Sequence, residues 1–114
     1  MQRHDPRIVI SDLARTEFAS VMAIRVRSRQ ARLEAAQEAF AKFDTWTASA
    51  ATPAWIERTD LAQAEAFIRR MDLTLRTQDA MHIALALRLG LPVATFDARM
   101  AAAARALGVP VLDA

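Results

Sequence analysis

The sequence predicts a single α/β domain spanning residues 1–114, in which a short parallel sheet is flanked by helices in three layers. A length of 114 residues is typical of one domain with one core. The apolar content of 54% is too high for a disordered chain. The last third of the chain alternates an apolar strand, a helix and a strand at the spacing of a parallel crossover.

The first half of the chain contains a strand pattern followed by two helical patterns. Ile8–Ile10 is a short β-branched run that predicts a buried strand. Apolar residues recurring at a helical period predict helices over Leu13–Arg29 and Arg32–Ala48. We predict a connection at Ser49–Pro53 and a brief strand at Trp55–Ile56.

The next two helices have recognisable ends. Thr59 or Asp60 is the predicted N-cap of a helix that continues to about Met71. The segment Gln78–Leu89 is apolar nearly all round, which indicates a helix buried on most sides. Gly90 follows at the position where a helix is expected to end.

The C-terminal segment completes the α/β pattern. Leu91–Phe96 is predicted to form a strand, and Asp97–Leu107 a helix that starts at the aspartate. Gly108 ends this helix, and Val109–Leu112 is predicted to form the last short strand. Two strands joined by one helix favour a parallel pair.

Composition excludes several classes of protein. The absence of cysteine excludes disulfide scaffolds and Cys-based zinc sites. No apolar run approaches the roughly 18 residues of a membrane span, and the first residues contain no signal-peptide pattern. We therefore expect a cytoplasmic protein without a membrane partner. The net charge of +2 permits an anionic partner without requiring one.

Three carboxylates are candidates for chemistry. On a helical wheel, Glu17 falls between Leu13 and Val21 in an apolar face, where a charge needs a partner, a metal or a proton. Asp79 lies in the first turn of an apolar helix, and Asp97 follows a strand. Structural alternatives remain: an arginine ion pair for Glu17, and helix capping for the two aspartates. If the three converge, their repulsion favours a bound divalent cation.

Arginines are grouped in two parts of the chain, and two interpretations of them remain open. They can form a phosphate-binding surface for RNA, or they can be solvated helix ends where cations are favoured. The larger group lies at the end of the first helix and the smaller group before the apolar helix: Arg25, Arg27, Arg29 and Arg32, then Arg69, Arg70 and Arg76.

Four segments resemble a known family in both order and spacing. They are Ile10–Phe18 (ISDLARTEF), Thr77–Ala86 (TQDAMHIALA), Leu91–Met100 (LPVATFDARM) and Ala106–Val111 (ALGVPV). Together they resemble the PIN domain, and within it the VapC-type toxin ribonucleases. The resemblance covers most of the chain and implies a PIN-like α/β fold.

The resemblance also implies a function. It implies an endoribonuclease of a toxin–antitoxin-type system that depends on Mg²⁺ or Mn²⁺. Glu17, Asp79 and Asp97 would bind the metal, and Thr95 would be a polar neighbour of the metal-bound water. The implied partners are an RNA substrate, a cognate antitoxin protein and further copies of the chain in a homo-oligomer.

One feature of the family is not found in this sequence. PIN domains begin with a strand that ends in the first catalytic aspartate, and neither Asp5 nor Asp12 matches that position. We therefore expect an N-terminally incomplete domain. A misassigned start, a truncated gene and a strand supplied by a partner all remain open. The alternative function is a catalytically inactive PIN-like module that binds RNA or a protein partner.

Overall fold

The structure is a computed structural model that describes residues 8–95 and 97–112, so Asp5 and Phe96 lie outside it. Over these residues the chain forms five helices and four short strands, which confirms the predicted α/β class. The chain divides into two compact units, Met1–Trp55 and Ile56–Ala114, and each unit is described by itself. The assignment of the whole chain to a single three-layer domain stays a prediction.

The first unit consists of two consecutive helices with a strand before them and a strand after them. Its elements are β1 (Ile8–Ser11), α1 (Asp12–Arg27), α2 (Leu33–Ala50) and β2 (Ala51–Ala54). Strands β1 and β2 pair in parallel, with Ile8 opposite Ala51. The Ser11 hydroxyl accepts a hydrogen bond from the Ala14 amide at 3.0 Å, so Ser11 caps α1.

The position of β2 differs from the prediction. Helix α2 continues to Ala50, and the strand occupies Ala51–Ala54, where a connection was predicted. The strand predicted at Trp55–Ile56 is wrong, because both residues lie outside any strand. Pairing with β1 decides the location, and Pro53 is tolerated because each strand of a two-stranded sheet is an edge.

Helices α1 and α2 are joined by aromatic and polar contacts. The ring of Phe18 on α1 lies 5.6 Å from that of Phe40 and 4.7 Å from that of Phe43 on α2. Arg15 donates to the carboxylate of Asp44 at 3.0 Å and to the hydroxyl of Thr47 at 3.2 Å. These contacts fix the angle between the two helices near the start of α1.

The apolar face predicted for α1 is only partly covered within the structure. Val21 and Ile24 are each 51% exposed, and no residue of α1 is fully buried. Glu17 is half-buried. Glu17 therefore lies on a face of α1 that stays partly exposed, and its role as a metal ligand stays a prediction.

The second unit contains the remaining elements. They are α3 (Arg58–Arg69), α4 (Thr77–Leu89), β3 (Val93–Ala94), α5 (Ala98–Ala106) and β4 (Val111–Leu112). The predicted burial is confirmed for the middle of α4, where Ala80 and Ile83 are 0% exposed, but not for its last turn, where Leu87 is 44% and Leu89 38% exposed. Gly90 ends α4 with φ of +66°, a left-handed conformation that side chains disfavour.

The core of the second unit surrounds α4. Phe67 of α3, Ala104 of α5 and Val109 pack with Ile83 in one buried cluster. A buried side chain the size of Ile83, Phe67 or Val109 contributes about 1.5–3 kcal/mol to stability, and the methyl group of Ala104 contributes less. Because Asp79 and Asp97 lie at the starts of α4 and α5, this core positions both.

A buried ion pair connects α3 to α4. Asp60 is 2% exposed, and Arg88 donates to its Oδ1 from Nε at 2.8 Å and to its Oδ2 from Nη2 at 3.0 Å. Oδ2 also accepts from the Glu57 amide at 2.8 Å. Glu57 is the N-cap and Asp60 the third residue of α3, so the predicted N-cap was wrong.

These contacts make the stability of the second unit depend on the charge of Asp60. The Arg88 hydrogen bonds lower the pKa of Asp60, against the opposing effect of burial, and the Glu57 amide lowers it further. A carboxylate with a lowered folded-state pKa contributes stability above its ordinary pKa of 3.8. That contribution is lost as pH falls through the folded-state value.

We predict that Asp60→Asn lowers the free energy of unfolding by about 2 kcal/mol at pH 7, because Arg88 loses its buried carboxylate partner, although it keeps the exposed Glu57. Urea unfolding followed by circular dichroism measures this. The difference from wild type should shrink as pH falls from 3.8 toward the lower folded-state pKa of Asp60, because the wild-type carboxyl becomes protonated over that range.

The matched control is Glu65→Gln, which removes an exposed carboxylate of α3 that pairs with Arg69. Its effect should be within about 0.5 kcal/mol. An Asp60→Asn effect no larger than that of the control would contradict a stabilising role for the buried pair.

Candidate acidic site

The candidate site lies beyond the carboxyl end of a parallel strand. Strands β3 and β4 pair in parallel, with Val93 opposite Val111. Thr95 and Asp97 follow β3, between it and the start of α5. In α/β proteins this end of a parallel strand is a common place for ligands to bind.

Asp97 is the N-cap of α5. Its Oδ1 accepts hydrogen bonds from the backbone amides of Arg99 at 2.9 Å and Met100 at 3.4 Å. The Met100 and Arg99 amides lower the pKa of Asp97, with smaller contributions from the positive charges of Arg99 and Arg76 and an opposing one from burial. Asp97 is therefore a stable carboxylate anchored through one oxygen.

Thr95 supports the backbone of Asp97 directly. Its hydroxyl oxygen accepts a hydrogen bond from the Asp97 amide at 3.0 Å. The hydroxyl hydrogen is not used in that bond and remains available to donate to an acceptor. Thr95 thus holds the turn that leads into α5, and its place beside the metal-bound water stays a prediction.

Asp79 lies at the start of α4 and is well shielded. Its side chain is 14% exposed, and its Oδ2 accepts from the Arg76 amide at 3.4 Å. This bond closes the first turn of α4, so Asp79 does make the capping contact that was one of its two predicted roles. Asp97 also caps its helix, and capping leaves carboxylate oxygens of both residues facing the same cation.

That cation is the guanidinium group of Arg76. Nε of Arg76 lies 3.2 Å from Oδ2 of Asp79, and Nη2 lies 3.7 Å from Oδ2 of Asp97. Two carboxylates near each other repel unless a positive charge lies between them. The structure thus brings Asp79 and Asp97 together around one positive charge. Arg76 belongs to the smaller group of arginines, but nothing in the sequence indicated that it would contact both carboxylates.

Glu17, the third predicted carboxylate, belongs to the first unit, whereas Asp79 and Asp97 belong to the second. Across residues 8–95 and 97–112, no group of three or more His, Cys, Asp or Glu side chains forms a metal-binding cluster. The convergence of all three carboxylates therefore stays a prediction. So does the absence of the family's first catalytic aspartate.

Comparison with known families gives the class of the protein. A sequence model of the PIN domain matches residues 2–106, which is most of the chain. The chain belongs to the PIN domain family. Searches of curated proteins and of solved structures gave no match.

Membership of the PIN domain family gives the general class of activity. PIN domains are in general nucleases that depend on divalent metal ions and act on RNA or DNA. The Asp79 and Asp97 pair therefore has the donor chemistry that the family's activity requires.

Among the described parts of the chain, no helix is long and apolar enough to cross a membrane.

We predict that Asp97→Ala lowers the melting temperature more than Asp97→Asn does. Asparagine is as good an N-cap as aspartate and can accept from the Arg99 and Met100 amides, whereas alanine cannot. Thermal unfolding followed by circular dichroism compares the two. Equal melting temperatures for the two variants would mean that the cap does not stabilise α5.

Proposed function

We propose that this PIN domain is a divalent-metal-dependent endoribonuclease of a toxin–antitoxin-type system. One observation carries the proposal: Asp79 and Asp97 present carboxylate oxygens to a single cation at the carboxyl end of β3. In a member of the PIN domain family, that arrangement supports a metal site at this place.

The donor set suits Mg²⁺ or Mn²⁺. Both ions prefer oxygen ligands, and Mg²⁺ in particular is commonly bound by one or two carboxylates together with waters and substrate phosphates. We propose that Asp79 and Asp97 hold the ion and that Glu17 is the third carboxylate. A divalent ion supplies Lewis acidity toward the phosphodiester and assists the activation of water.

The residues of the chain have distinct roles in this proposal. Asp97 is preorganised, because the Arg99 and Met100 amides fix one of its oxygens and leave Oδ2 for a cation. Thr95 orients the backbone of Asp97 and retains a hydroxyl proton to donate. Asp79 is largely shielded from water, which strengthens its attraction for a cation.

The substrate is proposed to be RNA. A polyanion requires exposed positive charge, and phosphate contacts are commonly made by arginine. Four exposed arginines near the end of α1 supply such charge: Arg25, Arg27, Arg29 and Arg32. Their alternative role as solvated helix residues predicts no effect on RNA affinity.

The proposed protein partners are a cognate antitoxin and a second copy of the chain, in the cytoplasm. The first unit presents apolar side chains that suit a protein interface. Ile24 is 51% exposed, Leu33 55% and Trp46 42%, and an open groove between α1 and α2 has Phe18 and Phe40 in its lining.

Cleavage of a structured RNA in the presence of Mn²⁺ or Mg²⁺ tests the proposed activity. We predict that EDTA abolishes cleavage and that Asp97→Asn and Asp79→Asn each lower its rate at least about 100-fold. A metal ion supplies several kcal/mol of transition-state stabilisation, and each 1.4 kcal/mol corresponds to about tenfold in rate.

Asp72→Asn is the matched control, because Asp72 is an exposed carboxylate of the same unit that pairs with Arg70. It should cleave at the wild-type rate. If folded wild-type protein shows no cleavage above the Asp97→Asn background, the ribonuclease proposal is wrong. RNA or protein binding without cleavage would then favour the inactive module.

A further inference from the structure

Arg76 occupies an unusual position for an exposed arginine. Its side chain is 70% exposed, yet its guanidinium contacts carboxylates at the starts of two different helices. Asp79 is three residues along the chain from Arg76, so that contact is local, whereas Asp97 lies at the start of α5. A guanidinium is planar and carries several N–H donors, so one side chain can serve two carboxylates at once.

Arg76 contacts one oxygen of each carboxylate proposed to bind the metal. Its guanidinium lies against Oδ2 of Asp79, which also accepts the Arg76 amide, and against Oδ2 of Asp97, whose Oδ1 is held by backbone amides. A divalent ion bound by the same two oxygens would have the guanidinium as a like-charged neighbour within a few ångströms. Occupancy by both cations is therefore strongly unfavourable.

The arginine is also able to leave. The Arg76 guanidinium itself is exposed, so water screens its ion pairs, and each pair holds a long side chain in one conformation. The Arg76 side chain can move into solvent without disturbing α4, since its backbone amide makes the separate bond to Asp79. The guanidinium of Arg76 therefore neutralises the site without being held in place by buried packing.

We propose that Arg76 is a resident counter-ion that competes with the divalent cation for Asp79 and Asp97. This rests on the proposed metal-dependent function. The guanidinium offsets the repulsion between the two carboxylates while no metal is bound. It moves away when the divalent ion takes their Oδ2 oxygens, so part of the metal affinity is lost to displacing it.

Mn²⁺ affinity, measured by isothermal titration calorimetry on RNA-free protein, tests this proposal. Arg76→Gln should bind Mn²⁺ about tenfold more tightly than wild type, because no cation has to be displaced. Arg76→Lys retains a charge without the two-carboxylate geometry and should lie between the two. Circular dichroism establishes that each variant is folded.

Arg99→Gln is the matched control for a general effect of charge. The positive charge of Arg99 also acts on Asp97, but Arg99 bonds to that carboxylate through its backbone amide, which the substitution keeps. Its effect on Mn²⁺ affinity should be about twofold. A gain equal to that of Arg76→Gln would overturn displacement as the cause.

The Asp97→Asn background separates this inference from the proposed function. If wild type binds Mn²⁺ and Asp97→Asn weakens that binding, but Arg76→Gln binds equally or less tightly than wild type, the inference is wrong and the metal site stands. If neither wild type nor Arg76→Gln shows Asp97-dependent binding, both are wrong. A gain in Arg76→Gln that Asp97→Asn removes supports both.

Discussion

The second unit depends on the ion pair between Asp60 and Arg88, because a buried carboxylate is tolerated only when it is paired. Asp60 lies at the start of α3 and Arg88 at the end of α4, so the pair connects the two helices through their side chains. The apolar cluster around Ile83 then packs α5 and the strands against α4. The ion pair and the apolar cluster therefore hold the starts of α4 and α5 where Asp79 and Asp97 contact the same cation, the guanidinium of Arg76.

The candidate site combines two roles in the same side chains. Asp97 caps α5 through one oxygen and presents the other to Arg76, and Asp79 closes the first turn of α4 while facing the same guanidinium. Capping and metal binding were alternatives from the sequence, but the geometry makes them compatible. The cap fixes each carboxylate, and a fixed carboxylate loses less freedom when a cation binds. Arg76 neutralises the pair in the meantime.

The sequence predicted most elements of the second unit because its signals are local. Gln78–Leu89 is apolar nearly all round, Gly90 ends it, and Asp97 precedes its helix as a cap. Signals failed where distant segments decide the structure. Strand β2 includes Pro53, a poor strand former, because β1 is available to pair with it. The link from Arg88 to Asp60 and the bridge made by Arg76 depend on tertiary positions that no spacing reveals. The PIN resemblance suggested the carboxylates but not their shared arginine.

We propose that Asp79 and Asp97 hold a divalent cation in this PIN domain. Paramagnetic broadening by Mn²⁺ in ¹H–¹⁵N NMR spectra tests this site most directly, since signals are lost only near the bound ion. We expect early loss of the amide signals of Ala80, Ala98 and Arg99, and their return in Asp97→Asn. Broadening centred on other carboxylates, such as Asp72 or Glu65, with these amides unaffected, would contradict it.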